Sequence, residues 1–136
     1  MGSRPLATGS RSTGMPRAGE PAAETALRKP VTEAVLQEIV RRIVAQLGED
    51  CCVLLFGSRA YGEPRADSDV DLLVVAEMDR DPCRVSGDVY LALSDRNFGI
   101  DLVLMTPERL ERKRSGFDPF LREVLRRGRV LHGHLA

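Results

Sequence analysis

The chain has 136 residues, 20 basic and 20 acidic side chains, and a formal net charge of zero. Aromatic residues make up only 4 % of it, with no tryptophan, so no basic stripe with interleaved aromatics is available to read a nucleic acid. No apolar run approaches the roughly 20 residues that cross a bilayer, and a soluble, cytoplasmic protein is expected.

Residues 1–30 differ from the rest. Gly, Ser, Thr, Pro, Ala and Arg dominate, five residues are basic and two acidic, and Leu6, Met15 and Leu27 are the large apolar side chains. Such a segment buries too little surface to offset its ordering entropy, so a flexible N-terminal tail is expected over 1–30 and one folded domain over 31–136. It has no apolar core of the kind a secretory signal needs.

Thr32 can cap a helix in which Val35, Leu36, Ile39, Val40, Ile43, Val44 and Leu47 form one face, with Gly48 just past its end. Cys51 to Phe56 and Val70 to Val75 are continuous apolar runs of strand length, which predicts strands covered on both faces. Residues 57–68 between them, rich in Gly, Pro, Asp and Ser, read as turn and loop. Asp81-Pro82 opens a second helix running to Ser94, Ile100 to Met105 is a third strand, and Thr106-Pro107 starts another helix. Asp118-Pro119 opens a last helix that Gly128 closes, and Val130 to His132 adds a short strand. The pattern predicts an α/β domain with a small mixed sheet flanked by helices. Cys51, Cys52 and Cys83 have no zinc spacing and read as small buried hydrophobes in a reducing compartment.

Chemistry concentrates in residues 57 to 71, Gly-Ser-Arg-Ala-Tyr-Gly-Glu-Pro-Arg-Ala-Asp-Ser-Asp-Val-Asp. Gly57 and Ser58 end a strand, where free backbone N–H groups can cradle phosphate. Asp69 and Asp71 stand at i and i+2, so their carboxylates leave one side of an extended chain. Asp101 sits near the start of the third strand in a similar setting. If the strands are neighbours, three carboxylates converge, and their repulsion calls for hard divalent cations, magnesium or manganese. Two such ions clamp the attacking and leaving oxygens of a phosphoryl displacement. Arg59 and Arg65 are candidates for phosphate contacts. Tyr61 is expected to pack under the loop, and His132 and His134 have no partner spacing. The arginine-rich runs 109–114 and 126–129 read as solvated helix faces with charges suited to helix C-termini.

Gly57-Ser58 through Leu72-Leu73-Val74 resembles the signature of the DNA polymerase beta-type nucleotidyltransferase superfamily, and more narrowly its minimal nucleotidyltransferases (MNT proteins). The closing Leu125 to Leu131 segment is similar to that group's C-terminal end, so the resemblance spans about residues 32–134. It implies a polymerase beta-like nucleotidyltransferase fold and transfer of a nucleoside monophosphate from a triphosphate. By that likeness Asp69 and Asp71 bind metal, and Asp101 helps bind metal and eases deprotonation of the acceptor hydroxyl. Gly57 and Ser58, with Arg59 beside them, map to triphosphate binding, with two Mg2+ ions (or Mn2+) and ATP as co-substrate. At this length no second domain of the kind that grips the acceptor in larger relatives is expected, which directs attention to self-association or a partner protein. MNT proteins are typically paired with a HEPN-domain ribonuclease toxin and, as antitoxins, move AMP to a tyrosine of it. Two alternatives stand: an antitoxin that neutralises by binding alone, and a transferase acting on a small hydroxylated molecule such as an aminoglycoside. Neither nucleic acid nor membrane is an expected partner.

Overall fold

A computed structural model describes residues 27–65 and 68–135. Helix α1 (Glu33–Leu47) begins where expected, because the Thr32 hydroxyl accepts the Val35 N–H at 3.2 Å. It ends where the Gly48 N–H donates to Val44 O at 2.7 Å. Its Val35, Leu36, Ile39, Val40 and Ile43 are all buried, one stripe of the amphipathic pattern. Removing Ile39 or Ile43 side chains down to Ala would cost about 2–5 kcal/mol, because both are fully enclosed.

Strand β1 (Cys52–Phe56) is followed by a single helical turn, α2 (Ser58–Tyr61), inside the stretch read from sequence as turn and loop. Then come β2 (Val70–Val75), α3 (Pro82–Ala92), β3 (Ile100–Met105), α4 (Pro107–Ser115), α5 (Pro119–Arg127) and β4 (Arg129–His132). Asp81, Thr106 and Asp118 cap α3, α4 and α5 through their side chains, each followed by proline in the first turn, as the sequence signals required. The four strands form one sheet in the order β3-β2-β1-β4. β1 runs antiparallel to β2 and β4, whereas β2 and β3 are parallel and joined through α3, so the sheet is mixed.

Both faces of the sheet are covered, which explains the unbroken apolar runs. Val53, Leu55, Val70, Leu72 and Val74 pack against α1 and against Val89, Leu93 and Phe98. Leu54, Phe56, Leu73, Val75 and Met105 pack on the other side against Leu110 of α4 and Leu121 and Val124 of α5. β3 is an edge strand, and the Tyr90 hydroxyl accepts the Leu102 N–H at 3.0 Å, covering part of that edge.

Two sequence expectations shift. Leu27 is fully buried in the α1 core and the Lys29 N–H donates to Asn97 Oδ1 at 2.8 Å, although both fall within the expected tail. An apolar side chain that reaches a core is ordered by it, whatever the composition around it. Residues 1–26 of the expected tail lie outside the described residues. Cys51 and Cys52 are buried as expected, but Cys83 is exposed, because it occupies the solvent side of the first turn of α3. No described helix is long and apolar enough to cross a membrane.

Candidate active site

The antiparallel β1/β2 pair sets Phe56 opposite Asp71, and the parallel β2/β3 pair sets Asp71 opposite Asp101. Residues registered across a ladder share a face, so Asp71 and Asp101 project on the same side as Leu73, Val75 and Met105, the side that α4 and α5 cover. At the strand start Asp101 is exposed and Asp71 is half-buried. Asp69 is exposed and lies one residue before β2, two before Asp71.

Two glycines give the carboxylates their seats. Gly57 has φ +77° at the end of β1, a left-handed conformation that side-chain-bearing residues rarely adopt. A Cβ there would stand 2.2 Å from Asp71 Oδ2, so the carboxylate rests directly over the turn. Gly99 does the same for Asp69, since a Cβ at Gly99 would stand 2.2 Å from Asp69 Oδ1. The Val70 N–H donates to Gly99 O at 2.9 Å, which holds the two backbones in that contact. Gly99 is the residue that sequence reasoning missed. Its signal was a glycine immediately before the strand that carries Asp101.

The electrostatics agree with this placement. Burial, then Asp101, then Asp69 push the Asp71 carboxyl above the ordinary carboxylate range, and the Arg59 charge pulls it partly back. Asp71 therefore feels both other acids. The acidic group lies at one end of the sheet, with Asp71 and Asp101 on one face. It is not a closed nest: among the described residues, no three His, Cys, Asp or Glu side chains stand close enough together to hold a metal ion as arranged. The donor set nevertheless fits a hard cation, being carboxylate oxygens with one member destabilised as an anion by the other two.

At the Gly57 turn, the Ala60 and Tyr61 N–H groups both donate to Gly57 O, at 3.0 and 3.1 Å. The Ser58 and Arg59 amides open the helical turn and have no intrahelical acceptor. They and the Ser58 hydroxyl are the donors available beside Asp71. Arg59 itself is committed elsewhere. Its Nε donates to Ser68 O at 3.1 Å, and its Nη2 donates to Ser68 O at 2.8 Å and Arg65 O at 3.3 Å. It clamps the loop that delivers Asp69, and acts on Asp71 only through its charge. Arg65 is exposed, its amide donating to Ser68 Oγ at 2.8 Å.

Tyr61 packs against the α5-side core as expected, with the Arg127 guanidinium over its ring at 4.6 Å. His132 Nε2 lies 3.0 Å from Glu49 O, and His134 lines a groove with Cys51, Cys52 and Val75, at the sheet end opposite the acids. Neither histidine joins the site. Phe120 of α5 does border it: its ring meets that of Phe56, the residue paired with Asp71, edge to face, centroids 5.2 Å apart.

A positive-φ Gly-Ser turn beside aspartates at one sheet end offers donors for phosphate and oxygens for a cation, the needs of an enzyme that transfers a nucleotide. A family model for the nucleotidyltransferase domain matches residues 37–131, well over half the chain, and the chain belongs to that family. No curated protein matches it. Among solved structures, the chain is similar to a toxin–antitoxin crystallised with AMP-PNP, at 22% identity over 72% of this chain and 73% of that one, with a TM-score of 0.48. It is also similar to the toxin–antitoxin MntA-HepT, at 20% identity over 75% and 74% of the two chains, TM-score 0.44. A third is a nucleotidyltransferase, described as putative, from Sulfolobus solfataricus, at 19% identity over 78% and 99%, TM-score 0.43.

Proposed function

We propose that this nucleotidyltransferase moves AMP from ATP to a hydroxyl, a tyrosine hydroxyl in a HEPN-domain ribonuclease toxin, and so acts as that toxin's antitoxin. The observation that carries the transfer chemistry is Asp71 placed in register between Asp101 and the Gly57-Ser58 turn. The choice of acceptor rests on the resemblance of the Gly57 to Val74 motif to MNT proteins.

Asp69, Asp71 and Asp101 would hold the Mg2+ or Mn2+ ions, which when bound neutralise phosphate charge and stabilise the attacking and leaving oxygens. The Ser58 hydroxyl and the Ser58 and Arg59 amides orient the triphosphate. Gly57 keeps the backbone low enough for that approach. Arg59 holds the 65–68 turn closed so that Asp69 arrives at a fixed position. Asp101, exposed at the sheet edge, takes the proton of the incoming hydroxyl. The hydroxyl oxygen then bonds to the α-phosphorus, the α–β bridging P–O bond breaks, and pyrophosphate leaves.

The test is transfer of α-labelled ATP to a HEPN-domain acceptor in magnesium. Label should reach the acceptor with the wild type and fail to with Asp69→Asn/Asp71→Asn. No label from a folded wild type that binds ATP would sink the transfer reading. Toxin neutralisation that survives in the double variant would instead establish the binding-only antitoxin.

A further inference from the structure

The two arginine-rich runs, separate in sequence, meet in space. α4 and α5 form a hairpin, and Lys113, Arg114, Arg122 and Arg126 line one groove of about 320 Å3 between them, with Leu121 and Leu125 also lining it. Asp118 is the one carboxylate among its lining residues. Between Thr106 and Arg129 there are eight basic and four acidic residues, in a chain whose net charge is zero. The hairpin is therefore a local cationic excess. Charges suited to a helix C-terminus account for Arg112, Lys113, Arg114, Arg126 and Arg127. They do not account for Arg122, which stands in the first turn of α5, where a cation opposes the helix dipole. Arg122 instead lies over the ring of Phe117, 5.5 Å from its centroid, and Phe117 is 79% exposed at the hairpin turn. An aromatic ring held in water beside an arginine is the composition of a binding anchor.

The groove adjoins the β3 face that carries Asp101. Lys113, Asp118 and Leu121 are shared with a second cavity of about 270 Å3 that is lined by Phe120 and by Val103, two residues along β3 from Asp101. Phe120 in turn meets Phe56, opposite Asp71.

The geometry points to this α4–α5 groove as the docking surface for the acceptor protein, through an acidic segment that also carries an apolar side chain; the inference rests on the reading of the enzyme as a protein adenylyltransferase. Charge complementarity selects the acidic partner, and the Leu121, Leu125 and Phe117 surface selects an apolar anchor over a bare polyanion. Ion pairs of Glu123 with Arg126 and Arg127, and of Lys113 with Asp118, interleave negative charge that a nucleic-acid backbone would meet unfavourably. A segment seated here lies on the α4–α5 side of the sheet, the side to which Asp101 projects, and from that side an acceptor hydroxyl of that protein would approach the site.

The test uses a fluorescein-labelled peptide of repeating Leu-Glu-Glu units, read by anisotropy at low and high ionic strength. The full chain should bind it in a salt-sensitive way, and Arg122→Glu/Arg126→Glu should weaken binding at least about tenfold. Phe117→Ala should weaken it at any salt concentration. Arg122→Gln/Arg126→Gln serves if the charge-reversed variant does not fold, with the same direction and a smaller loss. ATP binding in magnesium, measured on the same samples, should be unchanged. An ATP signal missing from the wild type would refute the adenylyltransferase reading, and peptide binding would then decide the groove by itself. No peptide binding, equal binding by the variants, or displacement of the peptide by a single-stranded RNA oligonucleotide at lower concentration than by unlabelled peptide would each overturn the docking inference.

Discussion

Asp71→Asn should stabilise the metal-free protein while abolishing transfer. Asp71 is half-buried, in register with Asp101, two residues from Asp69, and pushed above the ordinary carboxylate range by burial and by both neighbours. A carboxyl whose folded-state pKa is raised favours the fold when protonated and opposes it when ionised. That stability is complete below the unfolded pKa and is lost as pH rises through the folded one. At neutral pH the charge therefore costs stability. Carboxylates on adjacent strands lie roughly 5 Å apart, and with Asp101 in water the repulsion is about 1 kcal/mol per neighbour, so about 1–2 kcal/mol for the two. For a domain of this size that raises the thermal midpoint by several degrees, on the order of 4 °C per kcal/mol. On the proposed reading magnesium should reverse the order, because it would stabilise only the protein whose acids hold it. Scanning calorimetry of both proteins, in chelator and in magnesium, from acidic to neutral pH, reads all three effects. The gap in chelator should close as pH falls through the raised Asp71 range. A variant less stable than the wild type in chelator at neutral pH, or one that magnesium stabilises equally, would refute the reasoning.

Gly57→Ala combines a φ of +77° with a Cβ 2.2 Å from Asp71 Oδ2, so it should lower stability by about 1–3 kcal/mol in chemical denaturation and cut transfer by roughly 100-fold. Gly99→Ala meets only the end of the Asp69 side chain, so transfer should fall while the unfolding midpoint barely moves. Arg59→Ala removes three hydrogen bonds to the carbonyls of Arg65 and Ser68, so limited proteolysis should cut that loop faster, and Arg59→Lys should not restore it because a point charge cannot replace the fork. The Leu121 N–H, then Lys113, hold the Asp118 carboxyl below the ordinary carboxylate range. Asp118→Ala should therefore lower the thermal midpoint at neutral pH, and the difference should vanish as pH falls through that depressed value.

Chain order, helix caps and strands were legible because each rests on a local rule. Thr32, Asp81, Thr106 and Asp118 each cap the helix that begins at the next residue, and apolar period separates α1 from β1 and β2. The aspartates at i and i+2 predicted a shared face before any pairing was known. Strand neighbours were not legible, because pairing is set by long-range packing. The approach of Asp101 to Asp71 remained conditional on β2 lying beside β3, as it does. Gly99 escaped for the same reason, since its function is a contact with Asp69, thirty residues earlier. The carbonyl partners of Arg59 were not legible, because its charge suits a phosphate as well as a carbonyl and the partners lie across a turn. The arginine runs 109–114 and 126–129 read as separate solvated faces because nothing local says that α4 and α5 turn back on each other.

The same core that hides the strands also enforces the site. Leu72 and Val74, with Leu102 and Leu104 beside them on β3, pack toward α1, whereas Leu73, Val75 and Met105 pack toward α4 and α5. A slip of one residue between β2 and β3 would exchange the faces of an entire strand. It would drive Asp101 toward the α1 side and bring Leu102 and Leu104 to the other, burying a charge and stranding apolar surface together. The in-register alignment of Asp71 with Asp101 is thus a consequence of apolar patterning along six consecutive pairs, Val70–Ile100 to Val75–Met105. The acids repel each other, so they cannot align the strands themselves. Apolar residues with no contact to substrate hold them in place.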